Sequence, residues 1–352
     1  MTEITALKQN EYSHWNAYVK QHPLGLPYHL TSFSCAISQS YGLQTILLTA
    51  KQQENLVGIL TLCIFKSITG NKTLISLPYC DVTPALTDNN EITEKLLAHA
   101  KELLKDLKCK HWQYRDYSID KNTVDAENNA KVRMILELPE SETQLMAGFK
   151  AKLRSQIKKA HKNNLTFAIS DVDNRQNLIN DFFQVYAENM RDLGSPPHSL
   201  AWFKCLVDFY QTDLDIIVVY FDNIAIAAGI LLRAGNNCSV PWASSLRKYN
   251  RLNANMMLYQ QMLFNAINQG CSTFDFGRST FGEGTFKFKQ QWGAKPQPIK
   301  WQTFTPDNGS VLDSSKANVN SKMREFLARI WSYLPIKVSN ILGRCLRKFI
   351  NL

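Results

Sequence analysis

The chain has 352 residues, and one hydrophobic core rarely organises more than about 250–300, so two domains are expected. Hydrophobic residues make up 45% and charged residues 20%, which excludes a disordered or fibrous chain. A formal charge of +10 favours an anionic partner (a phosphate-bearing substrate, nucleic acid or a membrane surface) and carries no information about fold.

The eight cysteines stand singly, with no CxxC and no Cys/His pair at zinc-ligand spacing. Neither a disulfide framework nor a structural metal is expected from that pattern. The start Met1-Thr-Glu-Ile-Thr lacks the basic residues and apolar run of a signal peptide. The longest apolar run, 224–232, is well below the roughly 18–20 residues a bilayer span needs. A reducing, cytoplasmic setting is the expectation, with peripheral contact at the inner face of a membrane left open.

Along the chain, strand-like runs fall at 44–50, 56–65, 112–117 and 132–138. A helix is expected over 92–107, where Ile92, Leu96, Ala100, Leu103 and Leu107 recur at helical spacing. From 141 to 305 the plan repeats, with helices at 177–190, 200–210 and 253–269 and strands at 214–221, 224–233, 238–245, 273–276 and 297–303. Asp222-Asn223 between two apolar runs predicts a tight hairpin turn. Two echoes point to duplication. Gly58-Ile59-Leu60 and Gly229-Ile230-Leu231 each follow a hairpin turn, and Arg115 and Arg278 each end a strand that follows a long helix. The expected fold class is α/β: two domains, 1–140 and 141–305, each with its own mixed sheet flanked by helices. Residues 306–352 open with a polar linker at Asp307 and continue as two amphipathic helices separated by Pro335, which fits inside neither. Their basic flanks suit an anionic membrane through residues 323–350, or packing on the domain.

Several motifs lead nowhere. Asp275-Phe276-Gly277 matches the metal-binding tripeptide of kinases, but no glycine-rich loop, strand lysine or catalytic loop precedes it at the needed spacing. The glycine-rich stretch 277–285 lacks the Gly-Lys-Ser/Thr of a phosphate-cradling loop. There is no GxSxG, no HExxH and no ligand-spaced set among the seven histidines.

The informative stretch is FDFGRSTFGEGTFKFKQQWG, residues 274–293. A short strand ending at Phe276 and a tight turn at Gly277 would place Arg278 and Ser279 at a strand's C-terminal end, where open α/β sheets bind ligands. Lys287 and Lys289 after the glycines would share one face of a strand and diverge on a helix.

This run, the basic helix FKAKLRSQIKKA (149–160), the stretch MRDLGSP (190–196), Trp242 to Ser245 and the closing FKQQWG (288–293) occur in one order. Together they resemble the FemAB-type aminoacyl and peptidyl transferases, most closely the branch associated with exosortase and extracellular-polysaccharide systems. The resemblance spans most of 149–301, and the N-terminal half matches only through Ser76 to Tyr79 and Tyr114-Arg115.

It implies two tandem domains of the GNAT acyltransferase type, and transfer of an acyl or aminoacyl group to an amine of a phosphate-containing envelope or polysaccharide precursor. In that frame Lys289 would stabilise the oxyanion and Asp275 could accept a proton. Arg154 and Lys158 would meet a substrate phosphate. Trp242, Ser244, Tyr249, Asn250, Asn255, Arg278, Ser279 and Phe288 would complete substrate binding. No tightly bound cofactor is implied; the co-substrate is an activated donor, either aminoacyl-tRNA or an acyl thioester, so tRNA is a possible partner. The chain has no coiled-coil insertion of the kind found in wall-building relatives. Its turn at 250–255 also lacks the glycine-rich pyrophosphate loop of acetyl-CoA users. A non-catalytic basic scaffold, or a nucleic-acid- or membrane-binding protein, is the alternative reading of the same charge.

Overall fold

A computed structural model describes residues 1–117, 131–307, 312–313 and 321–351. In chain order the first part forms β1 (Thr2–Ala6), α1 (Tyr12–Gln21), α2 (Thr31–Tyr41), β2 (Gln44–Gln52), β3 (Asn55–Lys66), β4 (Lys72–Ile75), β5 (Leu86–Thr87), α3 (Asn90–Asp106), β6 (Trp112–Tyr117) and β7 (Lys131–Glu137). The second forms α4 (Glu142–Gly148), α5 (Ala151–Lys162), β8 (Thr166–Ile169), α6 (Arg175–Asp192), α7 (Leu200–Tyr210), β9 (Leu214–Phe221), β10 (Ile224–Ala234) and β11 (Asn237–Ser245). It continues with α8 (Ala254–Asn268), β12 (Thr273–Thr280), α9 (Gly284–Gln291), β13 (Lys295–Phe304) and β14 (Leu312–Asp313). Helices α10 (Ser321–Ser332) and α11 (Ile336–Leu346) close the chain. Most of the polar linker expected after Asp307 lies outside the described residues.

Local chemistry explains the better-formed elements. The Asn89 side chain accepts from the Ile92 N–H and caps α3, whose stripe Ile92, Leu96, Ala100 and Leu104 is buried. Asp222 and Asn223 both take positive φ, 48° and 62°, the pair of left-handed residues that a two-residue hairpin between β9 and β10 requires.

The strands form one hydrogen-bonded path rather than the two separate sheets expected. Its order is β1-β2-β3-β4-β6-β13-β7-β12-β11-β10-β9-β8, with β5 on β3 and β14 on β13. The cause is β13. Its first part, Lys295 to Pro298, pairs with β7, and the rest, Ile299 to Phe304, pairs with β6. One strand thereby stitches the two halves together, while β7 of the first half sits between β12 and β13 of the second.

The core crosses the same boundary. In β9, Ile216 and Val218 face one side while Ile217 and Val219 face the other, as the two-residue strand period requires. The first side belongs to one apolar cluster that joins α1 and α2 (Trp15, Phe33) to α6 and α7 (Phe182, Trp202). On the opposite side α3 covers β2 and β3, and α5 with α8 covers the second half. One local expectation changes as well. Strand β12 runs on to Thr280 through an irregularity at Gly277 (φ 75°), where a turn was expected. Lys287 and Lys289 lie on helix α9, so Lys287 is exposed and Lys289 buried.

Candidate active site

The junction of the halves collects charge around β12 and β13. Strand β12 bulges between Asp275 and Arg278, and Gly277 supplies the left-handed residue there. The buried Asp275 carboxylate holds this bulge. It accepts from the Gly277 N–H at 2.8 Å and pairs with Arg133 of β7 at 3.0 Å. Burial raises its pKa, and the Arg133 guanidinium opposes that rise. With both oxygens engaged, Asp275 acts in this structure as the anchor of the bulge rather than as a free base.

Lys289 reaches the same bulge from α9. Its ammonium donates to the carbonyl oxygens of Gly277 at 3.0 Å and Arg278 at 2.8 Å. Two of its three N–H groups are thereby used and one remains for a ligand. Burial pulls its pKa down to about 8, against the counter-pull of Asp81 and Asp275. Desolvation of a cation explains the direction.

From the first half, the loop after β4 brings Asp81 to within 3.3 Å of Arg278 Nε, and its other oxygen accepts from the Arg278 N–H. Arg115 of β6 is fully buried. It donates to the carbonyls of Leu77, Cys80 and Asn351, and burial lowers its pKa to about 10. Trp301 of β13 meets both Arg115 and Arg278, with its ring 4.6 Å from the Arg115 guanidinium and 5.6 Å from that of Arg278. Four cations (Arg115, Arg133, Arg278, Lys289) thus meet two carboxylates (Asp81, Asp275), and the surplus is positive.

Beside this cluster the sheet opens. β11 and β12 are parallel, but their ladder ends at Ser239↔Asp275 although the strands run on to Ser245 and Thr280. Past that point β11 is no longer paired with β12, while on β12 the N–H groups of Gly277 and Arg278 are taken by Asp275 and Asp81 and their carbonyls accept from Lys289. The buried hydroxyls of Ser239 and Ser279, one on each strand, have no protein partner.

Of the residues expected from sequence, Lys289, Asp275, Arg278 and Ser279 therefore come together. The others do not join them. Arg154 donates to the carbonyls of Ala147 and Phe149, and Lys158 lies on the exposed side of α5. Trp242 is buried among His198, Trp202 and Phe203, in the apolar cluster that also holds Tyr79 and Trp301, and serves packing; Ser244 there accepts from Asn189. Tyr249 and Asn250 sit in the short helical turn after β11, and Asn255 in the first turn of α8. Phe288 packs on Tyr259 and Trp292. Sequence reasoning missed Asp81, Arg133 and Trp301. The one available signal was the nearness of Asp81 to the Ser76–Tyr79 motif.

The C-terminal segment packs on the domain, one of its two expected placements, and is rooted in the same region. Arg347 is buried, lies over the Tyr79 ring and donates to His198 Nε2 at 3.0 Å. The Asn351 carbonyl accepts from the Tyr79 N–H and from Arg115.

Residues 147–290 match the family model of the acetyltransferase (GNAT) domain. Similar solved structures include FemX, with 16% identity over 84% of this chain and 96% of that chain and a TM-score of 0.67. A tandem GNAT protein from the clavulanic acid biosynthesis pathway shares 12% identity over 88% of this chain and 100% of that chain, with a TM-score of 0.51. The L-PGS of Bacillus licheniformis shares 10% over 93% and 98%, with a TM-score of 0.50. No curated protein matches in sequence. At these identities the likeness is one of fold: the chain is an α/β protein of the GNAT fold, built as a tandem. Among the described residues no helix is long and apolar enough to cross a membrane.

Proposed function

We propose that this chain transfers an activated acyl or aminoacyl group to an amine on a phosphate-containing precursor of the cell envelope or of an exopolysaccharide, as a FemAB-like enzyme. The sequence motifs favour the exosortase- and polysaccharide-associated branch of that family. The observation that carries the reading is the placement of Lys289 and Arg278 at the point where β11 and β12 part, within the stretch that matches the GNAT domain.

The chemistry follows from those groups. The acceptor's nitrogen attacks the donor's carbonyl carbon. A C–N bond forms, the C–S or C–O bond of the donor breaks, and the nitrogen releases a proton. Charge gathers on the carbonyl oxygen in between. The third N–H of Lys289, held in a dry site and aimed by two carbonyls, can donate to that oxygen. The positive surplus and the partly exposed Arg278 favour an anionic acceptor, and the exposed cations of α5, Arg154 and Lys158 among them, extend that field. The edge of β11 past Ser239 suits the amide-bearing arm of an acyl thioester, and the same field suits aminoacyl-tRNA.

Incubation with acyl thioesters in one arm and aminoacyl-tRNA in the other tests the reading. Each donor is paired with nucleotide-sugar and lipid-linked acceptors that carry a free amine. The acceptor should gain the mass of one acyl group with one donor class. Unchanged acceptor mass in both arms overturns the proposal.

A further inference from the structure

Helix α11 packs on the domain with its small, polar side inward, and α10 beside it leaves much of its apolar surface outside. The side of α11 and of the turn after it that meets the body carries Ser339, Gly343 and Arg347, all buried. Gly343 is pressed against Pro197, where an added Cβ would lie 2.6 Å from the proline ring, so close contact depends on that small residue. The apolar side is turned to solvent. Val338, Ile341 and Leu342 are exposed on α11, and Phe326, Leu327 and Ile330 on α10, with Ile341 at 65% and Phe326 at 60%. Tyr333, between the helices, is 77% exposed. An amphipathic helix on a water-soluble body ordinarily does the reverse. A contiguous exposed patch of this kind marks a surface that meets something apolar.

Charge identifies the occupant. Exposed Arg329, Lys337, Arg344 and Lys348 flank the patch, and Glu325 is the one acidic residue from 325 to 351. Apolar side chains at the centre, a tyrosine between the helices and cations at the margin match the layers of an anionic bilayer: acyl chains, interface and headgroups. We infer that α10 and α11 form a docking surface that lies in the plane of an anionic membrane, anchored to the body through Arg347. This inference concerns location and stands apart from the transfer chemistry.

Flotation of the full chain with phosphatidylcholine vesicles, with and without phosphatidylglycerol, tests it. Wild-type protein should bind the phosphatidylglycerol vesicles and lose that binding as salt is raised. Ile341→Ser with Leu342→Ser should weaken binding by at least about tenfold, and Lys337→Gln with Arg344→Gln by about 25-fold, near fivefold for each charge removed. Both variants should keep the wild-type melting temperature, because only exposed side chains change. Failure of folded wild-type protein to bind, or equal binding to the uncharged vesicles, overturns the inference. So does a concentration-dependent dimer in sedimentation that the Ile341/Leu342 variant abolishes, since the patch would then be covered by a second copy.

Discussion

Arg278 of β12 and Asp81 of the loop after β4 meet across the junction of the two halves, side chain to side chain at 3.3 Å and backbone N–H to carboxylate at 3.2 Å. The pair fixes the first half against the bulge that Lys289 also grips, so it aligns the site as well as joining the halves. Both side chains are partly solvated, which limits their contribution to stability. A double-mutant cycle of Asp81→Asn and Arg278→Gln should give a coupling energy of about 1 kcal/mol in denaturant unfolding. It should cost more in kcat/KM than in stability. Independent, additive effects would show that the contact does no positioning.

Gly277 makes the bulge possible. Its φ of 75° lies in the left-handed region, and an added Cβ would meet Val240 O at 3.5 Å and Asp81 Oδ2 at 4.0 Å, both ordinary contacts. The cost of Gly277→Ala is therefore conformational, about 1–2 kcal/mol. Because the Gly277 carbonyl receives Lys289, the variant should also lose activity beyond what its melting temperature explains. Wild-type activity in a folded Gly277→Ala protein would mean that the bulge can relax without disturbing the lysine.

Much of this was legible in the sequence, and the remainder fails for identifiable reasons. The bounds of β6, α7 and β9 follow from local patterning, and the 274–293 stretch pointed to Lys289, Arg278 and Ser279. Nothing local says which strands pair. The crossing of β13 from β7 to β6 depends on how the sheet assembles, and it turned two expected sheets into one. Asp81, Arg133 and Trp301 come from a loop and two strands distant in sequence, and only that pairing brings them to β12. The amphipathic pattern of α11 reports which residues share a face. It does not report that the small, polar face is the packed one, because Pro197 and His198, which receive it, are more than a hundred residues away.

The C-terminal anchor gives a third prediction. His198 Nε2 accepts from Arg347, so its Nδ1 carries the proton toward the Tyr41 hydroxyl, and burial beside the guanidinium keeps the ring neutral. Arg347→Ala would leave that acceptor buried and unpartnered, a loss of about 2 kcal/mol in unfolding free energy. Truncation after Leu346 should cost at least as much, because Arg115 and the Tyr79 N–H also lose the Asn351 carbonyl. Thermal melts of the two proteins check this, and wild-type stability in the truncated chain would show that the tail merely rests on the surface.

Lys289 carries the sharpest prediction. If its ammonium stabilises the oxyanion, Lys289→Met should lower kcat roughly a hundred-fold or more. Lys287→Met, on the exposed side of the same helix, should be nearly silent. The pH profile separates charge from mere bulk. The Lys289 pKa is drawn from 10.5 to about 8, so the catalytic cation is lost as pH rises through about 8, and kcat/KM should fall there. Lys289→Arg retains its charge, so any activity it keeps should lack that alkaline limb. Unfolding at this residue cannot produce the fall. Between about 8 and 10.5 the unfolded chain holds the Lys289 proton more firmly than the folded one, so its contribution to stability increases with pH over that window. A kcat/KM profile flat through 8 in the wild type, or the same alkaline limb in Lys289→Arg, would remove the lysine from the chemistry and leave it the role of pinning the β12 bulge.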